Sequence, residues 1–306
     1  MPSQLKTQVA AQGEREESCG PIISFEDVRF TYPGEEARAL DGVSLDVMPG
    51  ECLAVIGPNG GGKSTLLLHM NALLVPDGGH VRVRVDEQHL DSANKRGLAE
   101  IRRACSMVFQ NPDEQTVAST VEEDVAFGPE NLGLSSEEIR HRVDECLSMV
   151  GLDGFQQRMV FGLSRGQRQR VAVAGALAMR PAVLLCDEPT AMLDAEGKRD
   201  VMAILRQVHA EGCAVVLVTH DMEEVLAANR IIVVEGGQIV MEGTPRELFS
   251  RKNAARLREM GLELPAPARY AVEHGLPDEL PLTIEELVAR VTGGEGGVCG
   301  VDLGQR

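Results

Sequence analysis

Aromatic residues are scarce in this chain: it has no Trp, two Tyr and 3% aromatic content in 306 residues. That leaves no row of rings on which successive bases of a single-stranded nucleic acid could stack. Positive charge is also short. Against 47 Asp and Glu stand 30 Lys and Arg, for a formal net charge of −17. Such a balance argues against general binding to a phosphate backbone, so no nucleic-acid partner is expected. No apolar run approaches the roughly 18 residues that a membrane span needs. The N-terminus lacks the apolar core of a signal peptide. The expectation is a protein of the cytosol, or one peripheral on the cytoplasmic side of the cell membrane. The cysteines are Cys19, Cys52, Cys105, Cys146, Cys186, Cys213 and Cys299, and none pair as C-x-x-C. They read as small buried hydrophobes, not as a disulfide or zinc framework.

What is present is glycine, concentrated in one stretch. Gly57-Pro58-Asn59-Gly60-Gly61-Gly62-Lys63-Ser64-Thr65 reads G-x-x-x-x-G-K-[ST], the phosphate-binding loop. Before it, Cys52-Leu53-Ala54-Val55-Ile56 has strand length and type; after it, Leu66 to Leu74 continues as a helix. Backbone N–H groups must turn inward around phosphate oxygens there, and side chains would block that approach. The helix N-terminus adds about half a positive charge, and Lys63 adds a full one. Ser64 places a hydroxyl where a Mg²⁺ bridging two phosphates would sit.

The rest of the chain supports a P-loop core. Ile22 to Phe30, Val43 to Val47 and Val81 to Val85 alternate like half-exposed strands, forming an antiparallel β layer. From Thr120 to Val150 the pattern is helical, with expected breaks at Gly128-Pro129 and Gly133, and a capped start at Ser135. This insert, about residues 112–162, reads as a small helical subdomain. Ala182 to Asp187 and Ala214 to His220 are apolar strands flanking a helix at Ala195 to His209. Strands alternating with helices imply a parallel sheet. Arg230 to Val234 and Gln238 to Glu242 form a hairpin across Glu235-Gly236-Gly237. Expected boundaries are a disordered extension at 1–20, a nucleotide-binding domain at 21–249, a helical appendage at 250–292 and a flexible tail at 293–306.

Several short stretches carry chemistry in company with the loop. Leu184-Leu185-Cys186-Asp187-Glu188 is an apolar strand ending in two acids: the first can hold Mg²⁺, the second can polarise an attacking water. Leu163-Ser164-Arg165-Gly166-Gln167 fits a capping box before a helix from Arg168 to Met179, and a capped helix start is also an anion site. Gln110 and His220 each end a short apolar strand, unremarkable alone. Their order with Asp194 is phosphate loop, Gln110, Leu163 to Gln167, Asp187-Glu188, Asp194, His220.

That ordered set resembles the ATP-binding subunit of ABC transporters, from about Ile22 to Phe249. The resemblance implies ATP hydrolysis with Mg²⁺. It implies that Tyr32 stacks on adenine, that Gly57, Pro58, Asn59, Gly60, Gly61, Gly62, Lys63, Ser64 and Thr65 hold phosphates, and that Gln110 approaches Mg²⁺ and senses the membrane partner. Asp187 holds Mg²⁺ with Ser64, Glu188 acts as general base, and His220 meets the γ-phosphate. Asp194 lies in the D-loop. Leu163, Ser164, Arg165, Gly166 and Gln167 form the signature that binds ATP held by the opposite subunit.

Two longer stretches, Val108 to Gln115 and Glu123 to Leu134, are similar to ATPases of energy-coupling factor (ECF) transporters. Ala174 to Met179 and Pro189 to Asp194 are similar too. This narrower resemblance implies an importer of vitamins or of Co and Ni ions. Its parts are a second ATPase subunit, identical or a paralogue, a transmembrane coupling subunit and a substrate-binding membrane subunit. It implies that the C-terminal appendage helps the ATPases dimerise, and that Asp113 and Glu114 meet arginines of the coupling subunit. By themselves these two also read as solvated loop acids. Arg165 departs from the family, which has Gly there. If the position is helical, Arg is tolerated; if it needs a glycine-only conformation, the signature is weakened. An ABC-type protein acting on nucleic acid fits less well, because the chain has one cassette, no sustained heptads and net negative charge. A P-loop kinase or GTPase leaves Leu163 to Gln167 and His220 unexplained, and no N-K-x-D motif is present.

Overall fold

A computed structural model describes residues 20–276 and 279–292. The expected disorder of 1–20, apart from Gly20, and the expected tail at 293–306 lie outside the described residues. The strands are β1 (Ile23–Phe30), β2 (Leu40–Val47), β3 (Cys52–Ile56), β4 (Gly78–Val85), β5 (Gln88–Asp91), β6 (Cys105–Val108), β7 (Val183–Asp187), β8 (Ala214–Val218), β9 (Arg230–Glu235) and β10 (Gln238–Gly243). They form two sheets. One is antiparallel, in the order β2-β1-β4-β5; the other runs β10-β9-β3-β8-β7-β6. In the second, β9, β3, β8, β7 and β6 are parallel and only β10 is antiparallel, as the hairpin requires. The ladder of β7 on β8 aligns Val183 with Ala214 and Asp187 with Val218, so neighbouring strands end level.

The period-two alternation of these strands divides the core. Leu53, Val55, Val183, Leu185, Val216 and Val218 face the antiparallel sheet and pack with Leu66, Leu67, Met70 and Ile101. Leu184, Cys186, Val215 and Leu217 face the opposite way, onto helices Val121–Asn131, Arg165–Ala178 and Ala195–Ala210. On that same side of the sheet, Ala54, Ile56, Ile231 and Val233 of β3 and β9 are covered by the C-terminal segment through Leu257, Leu262, Leu264, Ala268 and Leu280. The appendage is therefore continuous with the core. Leu257 and Phe249 are fully buried there, each contributing about 1.5–3 kcal/mol.

Several boundaries differ from the expectation. The helix Val121–Asn131 runs through Gly128-Pro129 instead of breaking there. Pro129 lies in its last turn, where it removes a single helical hydrogen bond. Gly128 serves close packing: a Cβ at that position would stand 2.5 Å from the Met179 sulfur. The break comes at Gly133, whose φ is +68°. The signature helix starts at Arg165, three residues earlier than expected, and β5 carried no strand signal. The C-terminal appendage carries the helices Ala254–Glu259, Ala266–Glu273 and Ile284–Val291.

Candidate active site

Parallel strands bring their trailing loops to one edge of the sheet, and ligands of open α/β sheets bind outside the carboxyl ends. Here the ends of β3, β8, β7 and β6 deliver the phosphate loop, His220, Asp187-Glu188 and Gln110. Four segments far apart in sequence thus share one edge.

The loop leaves β3 at Gly57, whose φ is +151°; a Cβ there would lie 2.0 Å from the Val234 carbonyl oxygen. Gly62, with φ +108°, would put a Cβ 2.5 Å from the Ala39 oxygen. Backbone on both sides therefore demands glycine. The helix Lys63–Met70 begins at Gly62 with no side-chain cap, which keeps its first-turn N–H groups available to an anion. The buried Lys63 ammonium donates to the carbonyls of Gly57 and Pro58, both at 2.9 Å. Burial pushes its pKa down, and Glu188 and Asp187 oppose that shift. The Tyr32 hydroxyl lies 3.1 Å from Thr65 Oγ1, and its ring packs edge-on against Phe30. Beneath the loop, the buried His69 places Nδ1 2.8 Å from the Thr65 carbonyl and packs edge-on to Phe30.

The two carboxylates have different surroundings. Burial pushes the Asp187 carboxyl up, and the Ser64 hydroxyl bonded to it acts in the opposite direction. Glu188 has φ +47°, a strained value for a residue with a side chain. Its Oε1 lies 2.7 Å from His220 Nε2, and its Oε2 accepts from Gln110 Nε2 at 3.1 Å. The strand ends thus hold one carboxylate between an imidazole and an amide. That arrangement can orient a water and accept its proton. Ser64 and Asp187 present adjacent oxygen donors, the set Mg²⁺ favours when phosphates and waters complete its shell.

The signature forms a separate place. Ser164 and Gln167 make the capping box: Ser164 N–H donates to Gln167 Oε1 at 3.0 Å, and Gln167 N–H to Ser164 Oγ at 3.2 Å. Arg165 is the first helical residue and is not among the residues of positive φ. Of the two readings of Arg165, the helical one holds. Ser164, Arg165, Gly166 and Gln167 share a cleft of about 450 Å³ with Asp194, and no phosphate-loop residue lines it. Asp194 itself caps the helix Ala195–Ala210 by accepting from Gly197 N–H at 2.8 Å. Leu163, by contrast, is buried.

The loop after Gln110 is tied to the signature helix. Asp113 Oδ1 lies 2.8 Å from Arg168 Nε, and the buried Gln169 donates to the Phe109 carbonyl at 3.2 Å. Asp113 thus already has a cation within its own chain, while Glu114 accepts from Asn111 at 3.0 Å. His69, Gln169 and Glu224 were missed in the sequence. A signal existed for His69 alone, four residues past Thr65 on the motif's own helix.

Comparison with known proteins gives this geometry a family. The family model described as ABC transporter matches residues 40–191. The chain is 51% identical over 281 residues to the energy-coupling factor transporter ATP-binding protein EcfA1 of Symbiobacterium thermophilum, covering 88% of this chain and 96% of that one. It is 42% identical over 262 residues to EcfA of Methanocaldococcus jannaschii, covering 85% and 92%. Among solved structures, cbiO1 from Clostridium perfringens, part of the ABC transporter complex cbiONQ, superposes with a TM-score of 0.70 at 34% identity. It covers 84% of this chain and all of its own. The dimeric ATP-binding cassette MJ0796, in a post-hydrolysis state bound to ADP and Pi, gives a TM-score of 0.65 at 34% identity over 72% of this chain and 98% of that one. With a phosphate loop, paired strand-end acids and a capped signature helix on one such scaffold, the chain belongs to the energy-coupling factor transporter ATP-binding proteins of the ABC transporter family, ATPases coupled to transport.

Proposed function

We propose that this ATPase hydrolyses ATP with Glu188 as general base, and that two such subunits complete each other's sites on the cytoplasmic side of an ECF-type importer. The carrying observation is the Glu188 carboxylate held between His220 at 2.7 Å and Gln110 at 3.1 Å. Residues 57–65 cradle the phosphates, Tyr32 lies at the loop where a base would stack, and His220 meets the γ-phosphate. Ser64, Asp187 and Gln110 hold Mg²⁺, which when bound neutralises charge on the phosphates. Glu188 orients the attacking water and takes its proton.

The signature cleft supports the dimeric reading. No phosphate-loop residue of the same chain lines it, which supports an ATP supplied by a second ATPase subunit. The helix Ile284–Val291 leaves Ile284, Val288 and Val291 exposed on one stripe, which supports the appendage as part of that contact. Membrane subunits complete the assembly: a coupling subunit meeting the Gln110 loop near Asp113 and Glu114, and a substrate-binding subunit selecting a vitamin or Co or Ni ions. Among the described residues no helix is long and apolar enough to cross a membrane, in keeping with transport carried by those partners.

Glu188→Gln tests the assignment. The variant should bind ATP as the native protein does and lose turnover by roughly a hundredfold or more, where the range for general base catalysis begins. Turnover at the native rate would remove Glu188 from that role.

A further inference from the structure

Glu188 and His220 sit on different loops, and one buried carboxylate joins those loops. Thr190 stands two residues after Glu188, and Thr219 immediately precedes His220. The Thr190 hydroxyl donates to Glu224 Oε1 at 2.6 Å, and the Thr219 hydroxyl donates to Glu224 Oε2 at 2.6 Å. Both threonines are 2% exposed and Glu224 is 8% exposed. Taking a carboxylate out of water is costly unless its oxygens are hydrogen-bonded, and here each oxygen has a hydroxyl. Thr219 Oγ1 also accepts from Asp221 N–H at 3.0 Å, which extends the bridge to the residue after His220.

Two features explain why such a bridge is needed. The left-handed backbone of Glu188 is strained and persists only where its surroundings over-determine it. Its own backbone supplies part of that: Glu188 N–H donates to the Val218 carbonyl at 2.9 Å, and its carbonyl accepts from Ala191 N–H at 3.2 Å. In addition, the two loops border a cavity of about 750 Å³ between them and the C-terminal segment at Leu262, Leu264 and Arg269. Where the loops line that cavity, the Glu224 hydrogen bonds tie them to each other.

We infer that Glu224 is a positioning residue of this ATPase, fastening the Glu188 loop to the His220 loop so that the water held by Glu188 and the His220 imidazole meet the γ-phosphate in register. The inference rests on Glu188 and His220 carrying the hydrolysis. Glu224 is buried with both oxygens taken by the threonines, so it should act on turnover and not on ATP affinity.

The test uses the assembled transporter with Glu224→Leu, Glu224→Gln and Thr190→Val. Glu224→Leu should lower kcat roughly tenfold or more while the KM for ATP stays within about twofold. Glu224→Gln should recover most of the loss, because its amide can accept from one hydroxyl and donate to the other. Thr190→Val should show no further loss when added to Glu224→Leu, since both break one bridge. Amide exchange across residues 188–191 and 219–221 should rise in Glu224→Leu, and this readout does not depend on which group is the base. Native kcat and unchanged exchange in Glu224→Leu overturn the proposal, as does a Gln variant no better than Leu. If the Leu variant does not fold, Thr190→Val and Thr219→Val, singly and together, carry the same expectation of non-additive loss. Glu188→Gln measured alongside separates the two readings: its native turnover refutes the base, while the exchange data still judge the bridge.

Discussion

Two helices begin beside the phosphate chemistry, and they begin differently. Lys63–Met70 is entered through Gly62 at φ +108° with no side chain on its first-turn N–H groups. Arg165–Ala178 is entered through Ser164, whose hydroxyl and the Gln167 side chain close a capping box. The first start is unfinished within its own chain, and only an anion completes it. The second has its Ser164 and Gln167 N–H groups met by the box and adds polar side chains at a cleft. Under the proposed function one end would enclose a phosphate and the other would press against ATP held by a second subunit, so the site would be complete only when two subunits meet.

The largest expected effect breaks the first of these starts. Gly57→Ala sets a Cβ where the Val234 oxygen stands 2.0 Å away and adds positive-φ strain. It should cost about 3 kcal/mol or more in chemical denaturation and abolish ATP binding, because strain and overpacking add. Native affinity and stability would mean the loop can relax away from β9.

Ser164→Ala breaks the second start. Loss of the cap should cost about 1 kcal/mol of subunit stability. Equilibrium ATP binding to the isolated subunit should be unchanged, because the phosphate loop does that work alone. Turnover of the assembled complex should fall roughly tenfold. Equal losses in both assays would erase the distinction between the two helices.

A pH titration sharpens the contrast, because only the helix Lys63–Met70 carries a histidine on its inner face. Burial pushes the pKa of His69 below its ordinary value of 6.5. Linkage gives the sign: as pH falls through 6.5 the unfolded chain takes up a proton that the folded chain refuses, so stability is lost toward acid. The contribution is at most about 1.4 kcal/mol per pH unit. Denaturation midpoints of His69→Gln should lack that component between neutral pH and the acid limb; an unchanged profile would show that His69 is not its source.

The smallest effect is expected at Arg165→Gly. The residue opens the helix with ordinary helical backbone, so glycine there should cost no more than about 1 kcal/mol. ATPase turnover should stay within roughly twofold, and a gain of roughly tenfold would show that arginine impairs the signature.

Local chemistry made much of this legible in advance. The glycines of residues 57–62, the acids at the end of β7 and the Ser164–Gln167 box each announce themselves within a few residues, because turns, caps and strand ends are short-range devices. Gly128-Pro129 misled for the same reason. A local rule reads it as a stop, whereas Gly128 is there to admit Met179, which is 51 positions later in the chain. The start of the signature helix was set too late because its cap hides the first turn.

By itself, then, the sequence determined the phosphate loop, the alternation of strands and helices, and the order of the chemical groups, all carried by residues near one another in the chain. Only the tertiary structure decided which groups meet. The 78 positions between Gln110 and Glu188, and the 34 between Thr190 and Glu224, are closed by parallel pairing and by buried hydrogen bonds. It also turned Asp113 toward Arg168 of its own chain. Contacts of that range depend on how level the strands end and which faces are buried, and no short stretch of residues encodes either.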